Sequence, residues 1–353
     1  MKNLLFVLFI AFHAPAALAV AINGYCYLEG ENDHSGTKVR FLQADQVLAV
    51  DSVYTNPSGR FNLELAAGTY DVEYSHGSFS STTTSAQQLA RDTTLVPHAL
   101  ALAAQRISGR LSGSLGPGVF RITGDISIDT SDTLRLMLGT TFFFARPSLF
   151  TIRGTLVAEG TASDSILFTT NIHRSRPRWS GLRFMGEHSS GSRLDYCIIE
   201  NASSRTGGIY CRASSPTFDR CAIRWNSSRW GGGVLCSVAS PTFISCLFSD
   251  NQAKYGGGAI YGRLSAVTFQ NCTITGNSAR FYGGGIYGRR SSLVFTGCAI
   301  VSNSTGWYGG GIYCGDSSVS FGDCTILGNS AAHSGDGIYR RNSSLSLKDC
   351  VTQ

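Results

Sequence analysis

One cysteine recurs on a near-constant beat through the second half of the chain. Cys197, Cys221, Cys246, Cys272, Cys298, Cys324 and Cys350 are separated by 24, then 25, then four times by 26 residues. Three residues before each stands a large apolar side chain: Leu194, Phe218, Phe243, Phe269, Phe295, Phe321 and Leu347. Four or five residues after the first six comes an asparagine: Asn201, Asn226, Asn251, Asn277, Asn303 and Asn329. A period of this size means stacked units, each burying its apolar face only against its neighbours.

The local pattern decides what is stacked. Short β-type runs such as "SPTF", "CAI" and "GGIYC" are broken by Ser, Asn and Gly, and no helical apolar stripe competes with them. Cys221 and Ile223 share a face by period two, but Phe218 lies three residues back, so the chain must bend between Phe218 and Cys221. Three strands and three corners then fill 26 residues, which is one coil of a parallel β-helix. Successive coils lie about 4.8 Å apart, and every 26-residue column becomes a ladder. Phenylalanines and isoleucines stack inward, and asparagines stack at a buried corner where each amide satisfies the next coil. The runs Gly231–Gly233, Gly256–Gly258, Gly283–Gly285 and Gly309–Gly311 supply a corner needing positive φ or close backbone approach. The cysteine column reads as small apolar core. Parallel stacking points its Cβ vectors the same way, so mostly unpaired thiols are expected, with at most an occasional bridge. No C-x-x-C or paired histidine accompanies them, and no metal or other cofactor is expected.

Fold class is therefore all-β, and the sequence resembles the secreted right-handed parallel β-helix proteins of the pectin-lyase-like fold. The helix is expected over 105–353, where "GTLVAEGT", "SILFTT" and "WSGLRF" resemble the first coils of secreted bacterial β-helix proteins; the chain reads as stopping in mid-coil. Residues 20–104 differ. Ser35-Gly36-x-x-Val39, "SGRFNLEL" and "AGTYDVEYS" resemble a carboxypeptidase-regulatory-like, transthyretin-like β-sandwich module, which implies a spacer or binding accessory without chemistry of its own. Residues 1–19 combine Lys2, an apolar run and Ala17-Leu18-Ala19, the pattern of a signal peptide. An exported protein, secreted or at the cell surface, with no transmembrane segment is expected.

Charge is uneven. From Gln105 onward 24 basic residues face 14 acidic ones, and 22 of the 24 are arginine, the side chain suited to gripping carboxylate, sulfate or phosphate. Two columns carry the binding expectation. Tyr210, Tyr261, Tyr287, Tyr313 and Tyr339 face away from the core if their isoleucine neighbours face in, and Arg212, Arg263, Arg289 and Arg341 follow two residues on. A second aromatic column, Trp230, Tyr255, Tyr282 and Tyr308, precedes the glycines. Aromatic faces stack on sugar rings and arginines select acidic sugars, which makes an acidic polysaccharide the expected partner. The competing reading is a sheet stabilised by tyrosine stacking and cation–π contacts. Nucleic acid is disfavoured for an exported chain.

Little in the sequence points to catalysis. A hydrolase needs two carboxylates across the scissile bond; a calcium-dependent lyase needs clustered acidic oxygens. Placed in register, Asp323 and Asp349 become vertical neighbours, the weak catalytic candidates here. The rival reading, a polysaccharide lyase or glycoside hydrolase, would place its site near Arg174, Arg176, Arg178, Arg183 and Glu187. A plain structural spacer is the third. The "GGAI" stretch at 257–260 also resembles polymorphic outer-membrane adhesins, without their companion "F-x-x-N" element.

Overall fold

The computed structural model describes residues 19–28, 34–43, 49–76, 79–100, 104–145, 147–170 and 179–352. The leader expected at 1–19 lies, but for Ala19, outside the described residues. The chain divides into two compact units, Met1–Ala103 and Ala104–Gln353.

In the first unit, Ala19–Leu28 pairs antiparallel with Arg60–Ala66 and parallel with Thr93–Thr94 and His98–Leu100. A second four-stranded sheet runs in the order Ala49–Tyr54, Lys38–Gln43, Gly68–Ser75, Thr82–Leu89. Alternating residues of both sheets, among them Ile22, Cys26, Phe41, Phe61, Val72 and Tyr74, form one buried cluster. At the expected "PSG" turn, Asn56 Oδ1 accepts the backbone N–H groups of Ser58 and Arg60 while Gly59 takes φ +78°.

The second unit is a parallel solenoid. One sheet stacks ten strands, from Gly113–Leu115 to Ser344–Lys348, and contains the phenylalanine column in register: Leu194, Phe218, Phe243, Phe269, Phe295, Phe321 and Leu347. The rings of Phe218 through Phe321 lie nearly parallel with centroids 4.6–5.4 Å apart. Coil spacing is thus also ring-stacking spacing. The strands after the cysteines and those carrying "IYG" complete the coil, and both stacks meet on the long strand Gly118–Ile128, which pairs with Thr140–Phe144 and with Phe150–Ile152. A fourth, short sheet, absent from the three-strand expectation, stacks Ser227–Trp230, Gln252–Gly256, Ser278–Ala279, Ser304–Thr305 and Ser330–Ala331.

Each of the three main corners is made the same way: one residue in the left-handed region, then one small or polar side chain turned inward. Before the cysteines stand Arg220, Ser245, Asn271 and Asp323, with φ of 48–54°. Before the asparagines stand Trp225, Asp250 and Ser302, with φ of 54–57°. At the third corner Val238, Leu264, Arg290 and Asp316 precede Ala239, Ser265, Ser291 and Ser317. There a serine ladder joins the coils, since Ser265 N–H donates to Ser291 Oγ at 3.2 Å and Ser291 N–H to Ser317 Oγ at 3.1 Å. In the glycine runs Gly283 takes φ +58°, and a Cβ on Gly284 would run into the carbonyl oxygens of Ser304 and Gly310.

The asparagine ladder has rungs at Asn226, Asn251, Asn277, Asn303 and Asn329. Asn251 Nδ2 donates to Ile223 O at 2.8 Å and to Asn277 Oδ1 at 3.0 Å, while Asn277 Oδ1 also accepts Asn251 N–H at 2.9 Å. Asn201 is a correction. It occupies the left-handed corner position, φ +59°, and Ala202 takes the rung, its N–H donating to Asn226 Oδ1 at 2.9 Å. Its amide turns instead to Thr169 Oγ1 and Glu200 Oε1.

All eleven cysteines are free thiols and ten are buried. Burial pushes Cys314 up to about 12 and Cys324 to about 11, from an ordinary value near 9. A thiol that stays neutral in the fold but ionises in the open chain stabilises the fold below its ordinary value and ceases to do so as pH rises through its folded one. Stability should therefore fall from about pH 9 towards 12, by about 1.4 kcal/mol per pH unit for each such thiol. Urea titrations at pH 8, 9 and 10 check the sign, and Cys314→Ala should make the fall shallower. Asn277→Ala strands the Asn251 N–H and the Phe248 carbonyl, and should cost about 3–5 kcal/mol. Asn201→Ala, off the ladder, should cost about 1 kcal/mol.

Candidate functional site

The register brings the "IYG" residues together as the sequence suggests. Tyr210, Leu235, Tyr261, Tyr287, Tyr313 and Tyr339 form one column, and Arg212, Ser237, Arg263, Arg289, Gly315 and Arg341 another. Ile260 and Ile286 point into the main core, so the tyrosines point out of it. They do not, however, present a face to solvent. Tyr261, Tyr287 and Tyr313 are only 6–9 % exposed. They make a second core with Trp230, Tyr282, Tyr308 and Tyr339 packed against it. Trp230 lies 5.0 Å from Tyr261, and Tyr282 4.9 Å from Tyr313, centroid to centroid. The glycine corner folds the residues before it back over the tyrosines. Burial pushes the Tyr287 hydroxyl up to about 12, with the neighbouring Tyr261 and Tyr313 adding to it. The arginines of this face stay exposed; the Tyr261 hydroxyl beside Arg289 pushes its guanidinium pKa up.

The second aromatic column is shifted by one residue at Tyr255. Trp230 pairs with Gly256, which pairs with Tyr282, then Tyr308 and Ser334. A register shift after Ser228 absorbs the extra residue as a bulge. Tyr255 falls instead on a parallel ridge with Phe281, Trp307 and His333. Centroids along this ridge are 6.3, 5.5 and 5.2 Å apart, and Trp307 is 43 % exposed.

Beside that ridge runs a feature the sequence reading missed. Register pairs Ser203 with Ser227, Ser227 with Gln252 and Gln252 with Ser278. Two residues after each of these stand Arg205, Arg229, Lys254 and Arg280, all exposed. With Ser203, Ser204, Ser227, Ser228, Gln252 and Ser278 they line a groove of about 900 Å³. Arg280 sits 5.1 Å over the Phe281 ring and Lys254 5.7 Å over Tyr255. None of the four has a carboxylate partner among the described residues. The signal was in the sequence: a cation immediately before each of Trp230, Tyr255 and Phe281, at intervals of 25 and 26.

The carboxylates have structural roles. Asp323, and Asp349 in the coil above it, take φ of 54° and 53° at the corner before their cysteines, a conformation aspartate tolerates better than most residues. Asp195 and Asp219 also stack in register, but Arg220 bridges both at 2.7 and 3.0 Å. Glu200 is buried against Arg224, 2.9 Å away, and accepts from Thr169 Oγ1. Of the cluster proposed for a lyase, Arg174, Arg176 and Arg178 lie outside the described residues. Arg183 stacks beneath Tyr210, with a long 3.4 Å bond to Thr206 Oγ1, and Glu187 is exposed in a short 3-10 helix.

Residues 180–351 match the family described as "Right handed beta helix region". The chain carries a right-handed parallel β-helix. That is the fold the pectin-lyase-like resemblance implies, and the match spans the regular coils that hold both the tyrosine core and the basic groove. No curated protein matches the chain.

The two aromatic layers should respond differently to truncation. Tyr287→Ala opens a cavity among Tyr261, Tyr282, Tyr313 and Trp230 and should lower stability by about 3–5 kcal/mol. Trp307→Ala, at the exposed ridge, should cost about 1 kcal/mol. Thermal unfolding of the two variants separates the layers.

Proposed function

We propose that this is an exported, non-catalytic protein that binds acidic polysaccharide outside the cell or at its surface. The groove on the short fourth sheet is the binding site, and the tyrosine core is the rigid wall behind it. One observation carries the reading: four exposed cations line one groove, one per coil, with no carboxylate partner among the described residues. Like charges directly opposite each other destabilise a sheet, and an anionic ligand offsets that cost. The ridge Tyr255–Phe281–Trp307 alongside offers the aromatic faces on which sugar rings stack. In support of the non-catalytic part, the carboxylates that stack in register, Asp195 with Asp219 and Asp323 with Asp349, serve an arginine clamp and corner geometry. The first unit, as a carboxypeptidase-regulatory-like sandwich, acts as spacer or accessory, and residues 1–19 direct export.

Affinity electrophoresis through gels containing polygalacturonate or a neutral glucan tests this. The wild-type chain should be retarded in the acidic gel only. Arg229→Gln/Lys254→Gln/Arg280→Gln should lose at least about tenfold in affinity, and Arg263→Gln/Arg289→Gln/Arg341→Gln should bind nearly as the wild type does. If the second variant fails and the first does not, the site is the arginine column over the tyrosines. A cleared track behind the band would make the protein a polysaccharide-degrading enzyme.

A further inference from the structure

The third corner of the coil, which follows the tyrosine strands, holds unusual residues at its tips. The left-handed position is taken in turn by Ala213, Val238, Leu264, Arg290, Asp316 and Asn342, never by glycine, whereas the other two corners use Gly276, Gly297 and Gly328. A β-branched residue at positive φ is an outlier, and Val238 takes φ +53°, with Leu264 in the next coil at +52°. Their side chains do not make up for this by packing: Val238 is 59 % exposed and Leu264 47 %. Trp225, exposed at another corner, carries Arg224 4.3 Å over its ring. Each tip N–H donates to the coil above, Val238 to Arg263 O and Leu264 to Arg289 O, so the tips stand in one line along the axis. That line is basic. Arg212, Arg263, Arg289 and Arg341 immediately precede four of the tips and Arg290 is itself one; all five are exposed. Among the tips the acid is Asp316, and none of the five arginines makes an ion pair among the described residues.

We propose that this edge docks on a bilayer carrying anionic headgroups, with Val238 and Leu264 entering the interface and the arginines gripping the phosphates around them. Backbone strain persists where the surrounding structure imposes it, and it collects where a partner is engaged. Here the strained residues are apolar and face solvent, so their burial is completed by something outside the chain. Apolar tips among cations are the pattern of a surface that lies in the membrane interface. Each arginine near an anionic leaflet adds attraction, and its planar fork takes two phosphate oxygens at once. Shape agrees with this. A straight edge advancing about 4.8 Å per coil meets a flat surface along its whole length, where a compact anion reaches only one or two of the arginines. The buried Tyr261, Tyr287 and Tyr313 back the edge and keep it rigid. An acidic polysaccharide would engage the arginines but leave Val238 and Leu264 in water, and the apolar tips therefore favour lipid. The groove with Arg229, Lys254 and Arg280 follows a different corner, so the proposal stands apart from the polysaccharide reading and does not depend on it.

The test is flotation of the full chain with vesicles of phosphatidylcholine alone and of equal parts phosphatidylcholine and phosphatidylglycerol. The wild type should float with the anionic vesicles only, and less as salt is raised. Val238→Asn/Leu264→Asn keeps every charge and puts at both tips a residue that tolerates positive φ. It should bind the anionic vesicles about tenfold more weakly, with a thermal midpoint no lower than that of the wild type. Arg263→Gln/Arg290→Asn should lose at least about tenfold in vesicle binding while keeping its retardation by polygalacturonate. The groove variant Arg229→Gln/Lys254→Gln/Arg280→Gln should float as the wild type does. A wild-type chain that ignores both vesicles, or floats equally with both, overturns the proposal. So does full vesicle binding by the asparagine double variant, which would reduce the edge to a charge patch. If the edge arginines prove necessary for polygalacturonate and not for vesicles, the edge is a polysaccharide site and the proposal falls. Flotation lost in the groove variant and kept in both edge variants overturns it as well.

Discussion

Everything in the solenoid depends on one constraint: each residue's nearest neighbour along the axis is the same column of the next coil. A column must therefore tolerate itself at about 4.8 Å. Phenylalanine does so by offset stacking, which is why rings tilted by 3–13° recur from Phe218 to Phe321. A buried polar column must both donate and accept in the same direction. The asparagine amide does this: Asn277 Oδ1 takes both the backbone and side-chain N–H of Asn251, and its Nδ2 passes the chain on to Asn303. Thiols and serine hydroxyls repeat the arrangement more weakly, as when Cys272 N–H meets Cys298 Sγ at 3.4 Å. The ladder hydrogen bonds fix coil spacing, and the apolar columns then fill the interior at that spacing.

The same corners show where the sequence is under strain. A residue at positive φ costs free energy unless it is glycine, asparagine or aspartate. Some later corners meet the requirement with Gly276, Gly297 and Gly328, and with Asp316 and Asp323, while Leu264, Arg290 and Ser302 do not. Earlier ones use Arg220, Trp225 and Val238, the last a β-branched residue at φ +53°. The inward rung that follows each corner holds it in place: Asn226 after Trp225, Ala239 after Val238 with its N–H on Ser265 Oγ. Repetition lets poor local choices persist, because the coil on either side imposes the conformation.

Columns with one strong residue type per coil were legible in the sequence, because inward positions accept few side chains. The phenylalanine, cysteine and glycine columns are of this kind. Asn201 misleads because it stands four residues after Cys197, where every later coil has its rung at five; the rung follows the left-handed corner residue, and five residues after Cys197 stands Ala202. Tyr255 was misaligned for the opposite reason, an extra residue absorbed as a bulge beside Ser228. Parity correctly turned the tyrosines away from the main core, but parity is a property of one strand. It carries no information about a neighbouring segment folding over them, which is a consequence of the glycine corner and the unforeseen fourth sheet. The cation column escaped notice because exposed positions show no burial pattern, and only alignment by structure places Arg205 above the same groove as Arg280.

That column breaks the rule of self-tolerance, as does the pair Arg263 and Arg289 stacked in register over the tyrosines. At other places in the solenoid charge is managed within the chain: Arg220 between Asp195 and Asp219, Arg224 on Glu200, Arg110 on Asp132. Along the groove, Arg205, Arg229, Lys254 and Arg280 repel one another, partly relieved by the rings beneath Lys254 and Arg280. At about 5 Å in water each neighbouring pair costs somewhat under 1 kcal/mol, more as the groove is desolvated. A parallel solenoid multiplies any such cost, because every added coil adds another like neighbour. It multiplies the benefit equally when a polymer with the same repeat lies in the groove, since each added charge on the ligand then finds its partner already in place. A repeating surface is thus poorly suited to a compact ligand and well suited to a repeating one.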